Sequence, residues 1–304
     1  MSLLIKEKAT KYLKSNYWIP ICSKWDSSLS KSNYKPIKVF DKDFLLVKRP
    51  SNTYSLISSI CPHRGYNLTK GCSISSSGAI ICPYHNYHIS TFKDCPGIST
   101  IHYPCVERDG FLWGDFSDKG LNEIKSIEPP SDSQVKLTIS KQLECNFLDL
   151  LINLADPVPF TAVPKDSTGL GLNSIGVNEK QYTENSEYCS YYLEWKGLKT
   201  RPRESWVTIK PPLVFIGVPL GNKSVVMMAS ATPISSNKCN LIINVYMDFE
   251  WGLFRPLQKY LSKYITNKVM QEDKEILESL IATYDYKDIG PLDKPGRWIL
   301  NKFT

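Results

Sequence analysis

Two cysteines and two histidines, delivered in pairs by two short proline loops, constrain this chain more than any other feature. Cys61-Pro62-His63 and Cys82-Pro83-Tyr84-His85 read C-x-H, eighteen intervening residues, then C-x-x-H. Each half brings one thiolate and one imidazole. That donor set suits an asymmetric two-iron cluster, with the two cysteines on one iron and the two histidines on the other. Neutral imidazoles in place of thiolates make such a cluster less negative and raise its potential. Their N–H groups face outward, where an electron can leave. The competing reading is a Cys2His2 zinc site, but zinc motifs usually pair Cys with Cys and His with His at wider spacing.

The surrounding sequence reads as short strands punctuated by turns. FLLVK (44–48), the turn Pro50-Ser51-Asn52 and YSLISSI (54–60) predict a hairpin, and GAIIC (78–82) and GFLWGDF (110–116) predict further strands. A stretch rich in Pro, Ser and acidic residues, SIEPPSDSQ, marks a linker. Beyond it VKLTIS, EYCSYYLEW, SWVTIKPPLVFIGVP, SVVMMASATPI and CNLIINVYMDF read as longer antiparallel strands. A helix follows over about 253–284, its apolar face taken from Leu253, Leu257, Leu261, Tyr264, Ile276, Leu277 and Leu280. The expected plan is α+β: a helix over 1–16, an all-β domain over 17–125, a linker over 126–136 and a sheet domain with a long C-terminal helix over 137–304.

Composition bounds the remaining classes. The chain has 304 residues, 42% hydrophobic and 22% charged, with no window long and apolar enough for a membrane span. MSLLIKEKATKYLKSNYW lacks an apolar h-region and a cleavage site, so it reads as a capping helix rather than a secretory signal. The net charge of +7 is spread without a basic block or a nucleic-acid motif, and it suits an acidic redox partner. Nine cysteines cannot pair completely, which fits a reducing compartment.

The two loops, as CPHRG and CPYHNYHIS, resemble the Rieske domain of the Rieske non-haem iron oxygenases, whose second half commonly reads CPYHGW. YWIPI (17–21) is similar to the entry strand of that domain and PCVERDGFLWGDF (104–116) to its closing strand. The chain from 137 onward resembles the family's catalytic domain, a helix-grip (START or Bet v1-like) sheet. The resemblance makes Cys61, His63, Cys82 and His85 the ligands of a [2Fe-2S] Rieske cluster. Asn86-Tyr87 stands where the family usually has Gly-Trp, at positions that are not ligands.

The family's second cofactor has lost its place. Its mononuclear iron sits on two histidines and a carboxylate, an arrangement that leaves positions open for O2. The histidines come from a helix resembling N-x-x-D-x-x-H-x-P-F-x-H. Here INLADPVPFTAV (152–163) keeps Asn153, Asp156 and Pro159-Phe160-Thr161, lacks the first histidine by a two-residue deletion, and has Ala162 at the second. An ungapped alignment puts Pro159 and Pro164 there. The chain's four histidines are His63, His85, His88 and His102, so none follows residue 102 and the usual triad cannot be built. Mononuclear iron is therefore expected to be absent from this chain. Within VMQEDKEILES (269–279), Asp273 matches the family's carboxylate ligand, and Asp156 matches the carboxylate that bridges cluster and iron between subunits. Each also reads as an ordinary residue, on a solvated helix face or as a cap. Cys145 and Asn153 with Asp156 and Asp273 would make an unusual metal site. Cys72 and Cys95 read as free thiols, His88 and His102 as surface residues, and Arg64 and Lys70 as charges beside the cluster loops.

Family electron transfer crosses from the cluster of one subunit to the iron of the next. The resemblance thus implies a Rieske-bearing subunit of a hetero-oligomeric oxygenase, reduced by a ferredoxin-type donor and not an active oxygenase alone. The partner would be a homologous iron-bearing chain, in a trimer or mixed hexamer. NLADPVPFTA resembles the helix of the chlorophyllide a oxygenase and pheophorbide a oxygenase branch, so a chlorophyll-type tetrapyrrole is the candidate substrate. The alternatives are a self-contained oxygenase on a metal site without histidine, and a non-enzymatic electron carrier or redox-sensing binding protein.

Overall fold

The computed structural model describes residues 3–49, 51–121, 135–156, 175–184, 188–195, 203–220, 223–249, 251–280 and 293–303. The chain divides into two compact units, one of residues 14–127 and one of residues 1–13 with 128–304. Helix α1 (Leu3–Asn16) opens the chain, and its residues to Leu13 go with the second unit. None of the described helices is long and apolar enough to cross a membrane.

The first unit is built of short strands because its apolar residues come in brief runs between turn residues. β1 (Ile19–Ser23) precedes the one-turn helix α2 (Ser27–Ser32), then β2 (Tyr34–Val39), β3 (Lys42–Lys48) and β4 (Tyr54–Ser58). β5 (Ser73–Ile74), β6 (Ile80–Ile81), β7 (His88–Ile89), β8 (His102–Tyr103), β9 (Cys105–Arg108) and β10 (Phe111–Gly114) complete it. Three antiparallel sheets result, ordered β1-β10-β9, β2-β3-β4-β8 and β5-β6-β7. The expected hairpin is β3–β4. A second, β2–β3, turns through Phe40 and Asp41, both at positive φ (49° and 61°), as a two-residue hairpin turn requires. Leu45, Val47, Ile57, Leu68, Ile80 and Ile89 form a core that also holds Cys61 and Cys82.

The second unit is one seven-stranded antiparallel sheet flanked by helices. Its strands are β11 (Val135–Leu143), β12 (Ile175–Glu184), β13 (Tyr188–Trp195), β14 (Arg203–Lys210), β15 (Leu213–Leu220), β16 (Lys223–Ser235) and β17 (Lys238–Met247). The order β11-β17-β16-β15-β14-β13-β12 is a meander with the first strand laid beside the last. The stretch SWVTIKPPLVFIGVP, read above as a single strand, makes two, β14 and β15. Pro211 and Pro212 turn the chain between them, since proline cannot donate to the ladder. β11 begins at Val135, and 126–134 of the expected linker lie outside the described residues.

Helix α3 (Phe147–Ala155) starts at the Asn146 cap. The Asn146 side chain accepts the Leu148 N–H at 2.9 Å and donates to the Ser236 carbonyl at 2.6 Å. Phe147, Leu148, Leu150 and Leu151 are buried, worth about 2 kcal/mol apiece. A buried ion pair, Lys6 to Asp149 at 2.6 Å, ties α1 to this helix. Helix α4 (Arg255–Ser279) corrects the expected apolar face. Leu277 is buried as expected, but Leu253, Leu257, Tyr264 and Leu280 are exposed, whereas Gln258 and Met270, outside the expected face, are buried. Gln258 is buried because its amide donates to the Phe249 carbonyl and its oxygen accepts the Trp251 N–H. Helix α5 (Lys294–Phe303) places Phe303 edge-on against Tyr12 and Phe147.

Candidate metal centre

Two loops of the first unit are built to one pattern. In Cys61–Tyr66 the cysteine N–H donates to the Tyr66 carbonyl and the Gly65 N–H donates to the Cys61 carbonyl, both at 2.9 Å. In Cys82–Tyr87 the cysteine N–H donates to the Tyr87 carbonyl at 3.0 Å and the Asn86 N–H to the Cys82 carbonyl at 2.9 Å. Each loop thus closes on itself across six residues, with a left-handed residue in fifth place, Gly65 (φ 73°) or Asn86 (φ 57°). Asparagine is among the few residues that take glycine's place there, so the departure Asn86 preserves the loop.

The loops bring all four expected donors to one end of the unit and sort them by burial. Cys61 and Cys82 are buried in the core, His63 is half-buried and His85 is exposed. The two imidazole centroids lie 4.7 Å apart at 76°. The Cys82 thiol is pushed up by burial and by neighbouring Cys61, while the Tyr84 and His85 N–H groups pull the other way. The His85 ring is pushed toward its neutral form by lost water and by the nearby His63 and Arg64. His63 Nδ1 is buried without a hydrogen-bond partner, an orphaned lone pair of the kind a metal takes up. Paired thiols inside and paired neutral imidazoles outside fit a two-iron cluster with one pair on each iron.

Two tyrosines within the motif escaped the sequence reading. Tyr87 sets its ring against His63, centroids 4.5 Å apart, and Tyr84 lies 3.8 Å from His85. Both are printed in CPYHNYHIS, but nothing in the spacing says that Tyr87 reaches across to the other loop's histidine.

The remaining candidates are dispersed. Cys72 packs on the cluster-loop core, and its carbonyl accepts the Tyr34 hydroxyl at 2.9 Å. Cys95 is buried with its thiol toward the Ser77 carbonyl at 3.5 Å, and both are free thiols. His88, His102, Arg64 and Lys70 are exposed, with His102 Nδ1 at 3.4 Å from Ser55 Oγ.

In the second unit Asp156 caps the C-terminus of α3, its N–H donating to the Asn153 carbonyl at 3.2 Å. Asp273 sits half-buried on α4, where burial and neighbouring Glu272 push its carboxyl up to about 6. Cys145 is buried with its Sγ 3.5 Å from that of Cys239. Among the described residues no three His, Cys, Asp or Glu side chains gather as a single-ion site. Pro159, Phe160, Thr161, Ala162 and Pro164 lie outside the described residues.

A family model described as Rieske [2Fe-2S] domain matches residues 17–106. The chloroplastic chlorophyllide a oxygenase of Oryza sativa subsp. japonica is 25% identical over 288 residues, covering 86% of this chain and 50% of that protein. The chain therefore spans about half the length of that relative. Among solved structures, the NdmA QL mutant of Pseudomonas putida CBB5 with theobromine superposes with a TM-score of 0.70 at 16% identity, covering 97% of this chain and 91% of that one. Dicamba monooxygenase bound to dicamba gives 0.69 at 16% identity, with 95% and 96% covered. With the paired loops of a Rieske [2Fe-2S] domain over residues 17–106 and a helix-flanked antiparallel sheet over the rest of its described residues, this chain carries a Rieske domain and is similar along its length to the Rieske non-haem iron oxygenases.

Proposed function

We propose that this chain is the electron-transferring subunit of a hetero-oligomeric Rieske oxygenase. Cys61 and Cys82 would hold one iron of the [2Fe-2S] cluster and His63 and His85 the other. The cluster supplies a one-electron store of raised potential. The chain would take electrons from a ferredoxin-type donor and pass them, by way of His63 or His85, to the mononuclear iron of a homologous partner chain. There O2-dependent hydroxylation would follow, with a chlorophyll-type tetrapyrrole as substrate, in the plastid stroma or cytoplasm.

One observation carries this reading: a complete Cys/Cys and His/His donor set stands in a chain with no histidine after residue 102. The exposed apolar row Leu253, Phe254, Leu257, Tyr260 and Tyr264 also supports it, because a row of that size is ordinarily covered by another chain.

The test is iron and acid-labile sulfide per chain on anaerobically purified protein, with an electron paramagnetic resonance (EPR) spectrum after reduction. Two irons, two sulfides and a Rieske-type signal that vanishes in Cys61→Ser and His85→Ala are expected. Turnover with O2 should appear only on mixing with an iron-bearing homologous chain. Full turnover by the purified chain alone would sink the proposal. A third metal lost in Asp273→Ala would point instead to a centre built without histidine.

A further inference from the structure

We propose that Tyr84 and Tyr87 are positioning residues that clamp the two imidazoles and hold the cluster's potential down; this rests on the ligand reading of His63 and His85. The geometry is crossed. Tyr87 closes the second loop through its own carbonyl, which accepts the Cys82 N–H, yet its ring packs at 67° on His63 of the first loop. Tyr84, also of the second loop, covers His85 at 3.8 Å and 40°, and Tyr66 of the first loop stands 6.4 Å from Tyr84. The hydrogen bond that fixes Cys82 therefore also fixes the ring that confines His63. Tyr84 and Tyr87 are 56% and 43% exposed, and the core that holds Cys61 and Cys82 is lined instead by Tyr34, Tyr66, Cys72, Ile74 and Phe92. Their nearest ring contacts are the imidazoles.

The consequence is electrostatic. Two ferric ions, two sulfides, two thiolates and two neutral imidazoles sum to zero charge, and one added electron leaves one net negative charge. Water stabilises that charge, and an aromatic cover excludes water, so the cover disfavours the reduced form and lowers the potential. The same contacts restrict imidazole rotation and narrow the spread of ligand orientations.

The experiment compares the whole chain with Tyr87→Leu, Tyr84→Leu, Tyr87→Phe and Tyr87→Trp by redox titration and EPR linewidth. Tyr87→Leu and Tyr84→Leu should each move the midpoint potential upward and broaden the signal. Tyr87→Phe and Tyr87→Trp, which keep a ring over His63, should stay at the parent values. The inference is overturned if the leucine variants load the cluster at the parent potential and linewidth. It is equally overturned if the phenylalanine and tryptophan variants shift as far as leucine does, since a ring would then not be what matters. A parent chain that never shows a Rieske signal defeats the ligand reading itself, which is a separate failure.

Discussion

Asn86 and Gly65 occupy matching places in two loops of the same design, and only one of them is glycine. A side chain held at φ near +57° costs roughly 1–2 kcal/mol unless its chemistry tolerates the region, as asparagine's does. Asn86→Gly should keep parent stability and cluster content. Asn86→Val should lose about 1–2 kcal/mol in a denaturant melt and shed iron faster, because the loop that aims Cys82 and His85 no longer closes. Asp26 gives a prediction with a pH sign. Burial would raise its carboxyl, but hydrogen bonds from Lys35 and Ser28 outweigh that and hold it below the ordinary 3.8. Its contribution is therefore complete above the ordinary value and drains away as pH falls through the depressed one. Asp26→Asn should cost roughly 1 kcal/mol near neutral pH and almost nothing in strong acid, read from melts at the two pH values. The pairing of Cys61 with Cys82 and of His63 with His85 was legible in the sequence at this scale because the residue types stand at fixed spacing in two like loops. The tyrosine clamp was not, because a ring's direction depends on which loop faces which.

Elements show where periodicity stops being informative. The β3–β4 hairpin and the sheet strands follow from apolar runs bounded by turn residues, and Pro211-Pro212 splits what the apolar count alone had joined. For α4 the spacing found the helix and the buried Leu277, but it also counted Leu253, Leu257, Tyr264 and Leu280, which are exposed, because apolar character alone does not say which residues this chain's own core covers. Helix α3 depends on a residue 143 positions away, the distance from Lys6 to Asp149. Asp149 lies in the first turn, where the helix dipole favours it, but Lys6 supplies its counter-charge in a nearly dry site. Lys6→Met should therefore destabilise by about 3 kcal/mol, and the double variant Lys6→Met/Asp149→Leu should recover most of that loss. Both are read by chemical denaturation. A double variant no better than Lys6→Met alone would show that the two residues act independently.

The whole molecule divides in a way that its sequence order hides. The N-terminal helix precedes the Rieske unit in the chain but, up to Leu13, folds with the sheet unit that follows it, and no local pattern announces a contact spanning 143 residues. The exposed row at the start of α4, from Leu253 to Tyr264, makes a prediction at this scale. Leu253→Ser/Leu257→Ser should cost the isolated chain little in a melt, because Leu253 is 98% and Leu257 48% exposed. It should weaken assembly with the partner chain, followed by sedimentation of the mixture. A stable mixed complex with the double variant would place the interface elsewhere. The β11–β17 pairing bears on how the protein is made. Thr138 and Asn244, hydrogen-bonded at 2.8 Å, lie 106 residues apart, whereas every strand pair of the first unit, the β1–β10 pair included, is complete by Gly114. A ribosome adding roughly ten residues per second takes on the order of ten seconds to pass from one strand to the other. The cysteine and histidine loops are thus synthesised and able to fold before the last strand of the seven-stranded sheet is made, so loading of the proposed cluster and completion of that sheet would be events separated in time.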